Sequence, residues 1–265
     1  MKFSQLIQAV RNNPGEVLVP SAWAQGRASF GGLVAALAYE AMSAKVGEGR
    51  PVRSLAITFV GPLEAEVPAS FEAEVLREGR AVSQMFCRAV QNGQTVVVVQ
   101  GSFGASRESA IDVQADPAPV IKPAEECQEL PFLRGVTPDF TRFLAMRWGI
   151  GSMPFTNNPA REMGGWVRFR GEVEDEPAGI AHLLALVDAW PPAVLPHLRS
   201  PAPGSSLTWT IEFVQPLPTV GTLDWCLYRA EIDHARDGYG HVSARLWSPS
   251  GELVALSRQT VTVFG

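Results

Sequence analysis

The sequence predicts an α+β fold in which one unit, an apolar helix followed by a mostly antiparallel set of strands, occurs twice. Two observations carry this. Residues 55–63 read LAITFVGPL and residues 209–217 read WTIEFVQPL, so Phe59-Val60-Gly61-Pro62-Leu63 falls on Phe213-Val214-Gln215-Pro216-Leu217 at an offset of 154. Each copy then continues into an alternating strand, a second strand, a tight turn and a last apolar strand. Each is also preceded by an apolar helix, over 31–42 in the first copy and 178–190 in the second.

Taken in order, the chain opens with FSQLIQAVRN, where Phe3, Leu6, Ile7 and Val10 at i, i+3, i+4 and i+7 predict an amphipathic helix stopped by Asn12-Asn13-Pro14-Gly15. It lacks the unbroken apolar core of a signal peptide. The helix over 31–42 starts with Gly31-Gly32 after Ser29-Phe30. The strand FEAEVLREG from Phe71 leads through a second strand to the turn Gln91-Asn92-Gly93-Gln94 and then to TVVVVQGSF. Residues 106–132, rich in proline and charge and without period, predict a surface linker. The expected organisation is therefore an N-terminal unit over 1–105, a linker over 106–135 and a C-terminal unit over 136–265.

In the second unit VRFRG (167–171) predicts a strand ahead of the helix. LDWCLYRAEID from Leu223, the turn Ser248-Pro249-Ser250-Gly251-Glu252 and LVALSRQTVTVF complete it. Gly93 and Gly251 stand where tight hairpins need positive φ. The sheets of the two units are expected to join side by side, which covers one free edge of each.

Composition narrows the function. A 46% hydrophobic and 18% charged chain of 265 residues is an ordinary globular protein, and a net charge of −5 argues against affinity for nucleic acid by phosphate neutralisation. No run of 18 apolar residues is present, so no membrane span is expected. Cys87, Cys127 and Cys226 are widely spaced, outside any CxxC, and suggest a reducing, cytoplasmic setting without zinc or disulfides. His182, His197, His234 and His241 have no metal-ligand spacing, and no GxSxG elbow is present. Neither a metal, a cofactor nor a serine nucleophile is expected.

One residue stands out. Asp188 interrupts the apolar run from Gly179 to Val187, and a carboxylate there needs either solvent or polar partners. Gln259 is similarly isolated, on one strand face with Ala255, Ser257, Val261 and Val263.

The motifs GGWVRFRG, LLALVDAWPPA, SSLTWTIEFVQPL and LVALSRQTVTVF, with SFGG early and REGRAVSQMFCRAVQNGQ in the first half, resemble in order and spacing the acyl-CoA thioesterases of the double-hotdog type. The resemblance spans nearly the whole chain outside the linker. It implies two fused hotdog units and hydrolysis of an acyl-CoA thioester to free acid and coenzyme A, without metal or acyl-enzyme. An Asp, a hydroxyl residue and a Gln hold the attacking water in that family. They match Asp188, Ser206 and Gln259, with Ser205 and Thr208 close enough to Ser206 to remain candidates for the hydroxyl.

Elementary chemistry agrees: thioester hydrolysis needs a polarised water and donors for the developing oxyanion. Asp188 suits the base and Ser206 and Gln259 the positioners. Gly31 and Gly32, opening a helix, suit close backbone approach of the substrate carbonyl, or else simply let the helix pack. The offsets place Ser206 on Val52 and Gln259 on Gly101, so the first unit lacks the trio, while Glu40 matches Asp188 only by the shape of its helix. Trp148, Trp166, Trp190 and Trp209 read as core, with lining of an acyl site as the alternative. Other functions are enoyl-CoA hydration, whose G-D-x-N-P-x-H-like loop is missing, and non-catalytic acyl-CoA or lipid binding. A homodimer or higher homo-oligomer is expected from sheet edges left over after the two units join.

Overall fold

A computed structural model describes residues 1–170 and 176–264. Gly171, the end of the expected VRFRG strand, and Gly265 lie outside the described residues, as do positions 172–175. The elements run α1 (Phe3–Asn12), β1 (Val17–Leu18), β2 (Ala24–Gln25), β3 (Ala28–Ser29), α2 (Gly31–Ser43), β4 (Val52–Phe59), β5 (Pro68–Glu78), β6 (Val82–Gln91) and β7 (Gln94–Gly104). They continue with β8 (Gln128–Glu129), β9 (Leu144–Ile150), β10 (Glu162–Phe169), α3 (Ile180–Asp188), β11 (Gly204–Phe213), β12 (Cys226–Arg236), β13 (Tyr239–Trp247) and β14 (Leu253–Val263).

Twelve strands form one antiparallel sheet in the order β1-β5-β6-β7-β4-β11-β14-β13-β12-β10-β9-β8, and β2 and β3 form a separate hairpin. The two halves meet at β4 and β11. There Ala56 faces Thr210, its own counterpart at the 154 offset, while Leu55 faces Ile211 and Ile57 faces Trp209. That register exchanges the two strands about a two-fold axis. Both outer margins are strands of only two residues, β1 and β8, and β1 covers only Pro68 and Ala69 of β5, so most of that strand's outer edge has no strand beside it among the described residues.

One face of the sheet carries the helices. In α1 only Phe3, Leu6, Ile7 and Val10 are buried, as its period requires, whereas α2 and α3 are apolar nearly all round and are central. The α2 helix packs on β5, β6 and β7, α3 packs on β10, and the two helices pack on each other. The hairpins have the expected glycines in left-handed backbone, Gly93 at φ 73° and Gly251 at φ 83°. No helix among the described residues is long and apolar enough to cross a membrane.

Three features depart from the expectation. The helix over 178–190 is shorter, ending at Asp188 before Pro191-Pro192. The segment read as linker is irregular over 106–123 but then supplies β8, whose Glu129 pairs with Arg147 and Arg170. Finally β9, LAMRWGI, is an additional strand beside β10.

Candidate active site

Asp188 is the last residue of α3, where the negative end of its own helix disfavours a carboxylate. The compensation comes from α2. That helix has no side-chain cap, because its N-cap residue is Phe30, and its first three N–H groups have no partner within the helix. The Asp188 carboxylate lies at this end, where the backbone N–H of Gly32 favours its charged form. In effect a residue of one helix caps the other.

The contact is possible only with glycine. A Cβ on Gly31 would stand 2.8 Å from Asp188 Oδ2 and 3.2 Å from the Phe59 ring. One on Gly32 would stand 2.6 Å from the Phe30 ring and 3.0 Å from both Ala185 Cα and Asp188 Cβ. Gly32 therefore serves packing of helix on helix, and its N–H is directed at the carboxylate. Gly31 lies against the same carboxylate at the helix start.

Gln259 reaches Asp188 from β14. Its Nε2 donates to Asp188 Oδ1 at 2.8 Å, and its Oε1 accepts from Ser206 Oγ at 3.2 Å. Asp188 thus meets Gln259 and Gly32, and Ser206 joins one step removed, through the amide.

A β-bulge places Ser206 there. Trp209, Ile211 and Phe213 of β11 face inward, so strict alternation would bring position 207 inward. The register shifts between Ser206 and Thr208, leaving Leu207 unpaired, and Ser206 falls opposite the buried Val261 on the inner face. Ser205 and Thr208 face out and are exposed. Of the three candidate hydroxyls, Ser206 alone joins Gln259.

Burial pushes the Asp188 carboxyl up to about 7, against the opposing hydrogen bonds from Gln259 and Gly32. The residue itself is half-buried, so solvent reaches its edge. Tyr228, on β12, is buried, and both its burial and the charge of Asp188 raise its pKa. Its ring stacks on Trp190 at 5.4 Å, and Trp190 meets Trp148 at 4.6 Å. The sequence offers Trp148 and Trp190 as lining of an acyl site only as the alternative to core, and it carries no signal tying Tyr228 to Asp188.

The first half differs at every matching position. Glu40 is buried and paired with Arg11 Nε at 2.7 Å. Val52 is buried core, and a Cβ on Gly101 would meet Phe103, Leu55 and Met42 within 3.3 Å. His182 sits at the opposite end of α3 from Asp188, against Phe3 and Phe169, accepting the Gly179 N–H at 3.2 Å.

The model of an acyl-CoA thioesterase N-terminal domain matches residues 19–104, and that of an acyl-CoA thioesterase C-terminal domain matches residues 124–263. Acyl-CoA thioesterase 2 of Haemophilus influenzae is 26% identical over 251 residues, covering 88% of this chain and 86% of the relative. Human acyl-coenzyme A thioesterase 8 is 26% identical over 264 residues, covering 89% and 81%. Among solved structures, a hot dog fold protein of unknown function from Alicyclobacillus acidocaldarius superposes with a TM-score of 0.81 at 22% identity, covering 97% of this chain and 98% of its own. An acyl-CoA thioesterase II from Mycobacterium marinum gives 0.74 at 23%, covering 94% and 92%. The fold is thus a hotdog fold, and with both domain models matched in order the chain belongs to the acyl-CoA thioesterase family, a family of thioester hydrolases.

Proposed function

We propose that the protein is a double hotdog that hydrolyses acyl-CoA to free acid and coenzyme A by direct attack of water, at one site carried by Asp188, Gln259 and Ser206. The observation that carries the reading is the hydrogen-bonded series Ser206–Gln259–Asp188 ending at the start of α2. Asp188, with a pKa near neutrality, takes a proton from the water as its oxygen bonds to the thioester carbonyl carbon. Gln259 fixes the carboxylate, and Ser206 fixes the amide and offers its lone pairs to the same water. The positive end of α2, with the backbone of Gly31, faces the developing oxyanion. Collapse breaks the C–S bond, and the proton held on Asp188 passes to the departing thiolate.

The two units are 1–105 and 136–265, joined by the linker 106–135, which contributes β8. Recurring bulges support the repeat. Arg53 is skipped between β4 and β7 where Leu207 is skipped between β11 and β14, and Val96 is skipped where Val254 is. With Glu40 neutralised by Arg11 and no room beside Gly101, the first unit holds the fold and supplies the start of α2 to the site of the second. Homo-oligomerisation stays in the reading. The outer edge of β5, which β1 covers only at Pro68 and Ala69, is available for it, and sedimentation at micromolar concentration showing only monomer would remove it.

The test is release of free thiol from a panel of acyl-CoAs by wild type beside Asp188→Asn. A loss of about a hundredfold or more in the variant supports the base assignment. Binding without turnover by a folded wild type would favour the alternative, a non-catalytic acyl-CoA-binding protein.

A further inference from the structure

The two oxygens of the Asp188 carboxylate have different surroundings. Gln259 Nε2 donates to Oδ1 at 2.8 Å, which leaves Oδ2 for the reacting water. What lies against Oδ2 is read at Gly31. The point where a Gly31 Cβ would stand is 2.8 Å from Oδ2 and 3.2 and 3.3 Å from Cζ and Cε1 of Phe59. The tip of this ring and the carboxylate oxygen thus face each other across the backbone of one residue.

Phe59 belongs to the other unit. It is the last residue of β4, on the inner face with Leu55 and Ile57, and after it Val60 and Gly61 both donate to the Val96 carbonyl. The pairing of β4 with β11 ends at Thr58–Thr208, so Phe59 stands level with the bulge at Leu207 that turns Ser206 inward. Its counterpart in the repeated F-V-x-P-L run, Phe213, is sealed in the core at 4% exposure. Phe59 is only half-buried, as are Gly31, Asp188, Ser206 and Gln259 around it, so its ring borders the opening of the site.

The groups that act on Asp188 are uncharged. From β14 comes the Gln259 amide and from α2 the Gly32 N–H, while Tyr228 of β12, held above its ordinary range, stays neutral near pH 7. Glu40, paired with Arg11, and His182 lie toward the far ends of α2 and α3. Apolar surface is therefore what the carboxylate meets on its Oδ2 side.

We propose that Phe59 is a positioning residue for the hydrolysis, whose ring screens Asp188 Oδ2 from bulk water and leaves that oxygen to the one water that attacks. The inference rests on Asp188 as the base and deepens it. An apolar edge beside a carboxylate removes hydration that the ion needs and the neutral acid does not, so the ring acts on basicity through Asp188. Without it, water solvates Oδ2, the oxygen holds a proton less firmly, and the attacking water loses its single orientation.

The test is the pH dependence of kcat/KM for wild type, Phe59→Leu and Phe59→Ala with acetyl-, octanoyl- and palmitoyl-CoA. In Phe59→Ala the rising limb is expected to move to lower pH by about one unit, with the plateau down about tenfold, and in Phe59→Leu, which keeps an apolar side chain, by less. A limb that stays in place in Phe59→Ala overturns the proposal, because a structural defect alone lowers the plateau without moving the limb. Stability reads the same contact without turnover. Thermal unfolding of wild type and Phe59→Ala from about pH 4 to 8.5, each beside its Asp188→Asn version, isolates Asp188 from His182, which burial lowers to about 4. The stability lost on ionising Asp188 is expected to level off about one pH unit lower in Phe59→Ala. If no acyl-CoA is turned over but this shift is present, the thioesterase reading fails and the screening of Asp188 stands. Equal stability profiles remove the proposal whatever the turnover.

Discussion

Asp188 makes function and stability pull in opposite directions, and Asp188→Asn measures the conflict. Its folded pKa is raised from 3.8 to about 7, so the folded state holds a proton that the unfolded state has lost between those values. Stability on this account is fully present below about pH 4, falls as pH rises, and is lost by about pH 7. At ~1.4 kcal/mol for each pH unit the cost of ionising Asp188 in the folded protein is about 4 kcal/mol. Asparagine removes that cost but has one acceptor oxygen for the two donors, Gln259 Nε2 and the Gly32 N–H, and one unmet hydrogen bond returns about 1–2 kcal/mol. The variant is therefore expected to be more stable than wild type by roughly 2–3 kcal/mol at pH 8.5, a rise of about 5–10 °C in Tm, while catalysis is lost. At pH 5, where wild-type Asp188 is neutral, the advantage disappears. Urea and thermal unfolding of both proteins at the two pH values check this. Equal stability at pH 8.5, or a difference that does not depend on pH, refutes the raised carboxyl.

Further outcomes follow from the same geometry. Gln259→Ala removes a donor that lowers the Asp188 pKa, so kcat/KM is expected to fall about 10- to 100-fold and its rising limb to move to higher pH, read from a pH–rate profile. Gly32→Ala drives a methyl group into the Phe30 ring and the α3 backbone, with an expected loss of about 1–3 kcal/mol in denaturant unfolding and a fall in turnover as the helices part. Glu40→Gln, which breaks the pair with Arg11, is expected to leave kcat/KM within about twofold while costing roughly 1 kcal/mol of stability, because Arg11 is itself half exposed. A large loss of activity in Glu40→Gln would give the first unit a catalytic role.

Much of this architecture is written in local pattern. The repeated F-V-x-P-L runs, the hairpin glycines and the two apolar helices anticipate α2, α3 and the strands that follow them, since alternation and turn chemistry are local properties. What escaped lacks a local signature. The strand β9 is buried along most of its length and so does not alternate, and β1 and β8 are two residues long. The isolated Asp188 and Gln259 announced themselves as polar residues in apolar surroundings, and the structure brings them together. Ser206 was ambiguous among three hydroxyls because a bulge at Leu207 resets the alternation, and a bulge is a property of the pairing of two strands rather than of one. Phe30-Gly31-Gly32 held a signal that is clear in hindsight: a helix beginning without Ser, Thr, Asp or Asn needs its donors met from elsewhere, here by Asp188. Tyr228 and Trp190 lie 38 positions apart in the sequence and meet only in the folded chain.

In the proposed reaction water attacks the thioester directly. A single turnover with enzyme in excess over acyl-CoA, in water enriched in oxygen-18, tests it by following thiol, acid and the mass of the intact protein together. Thiol and acid are expected to appear with one rate constant, each acid carrying one heavy oxygen, while the protein mass never changes. A burst of thiol ahead of the acid, with the protein heavier by the acyl group, would contradict the account and make Asp188 a nucleophile instead of a base.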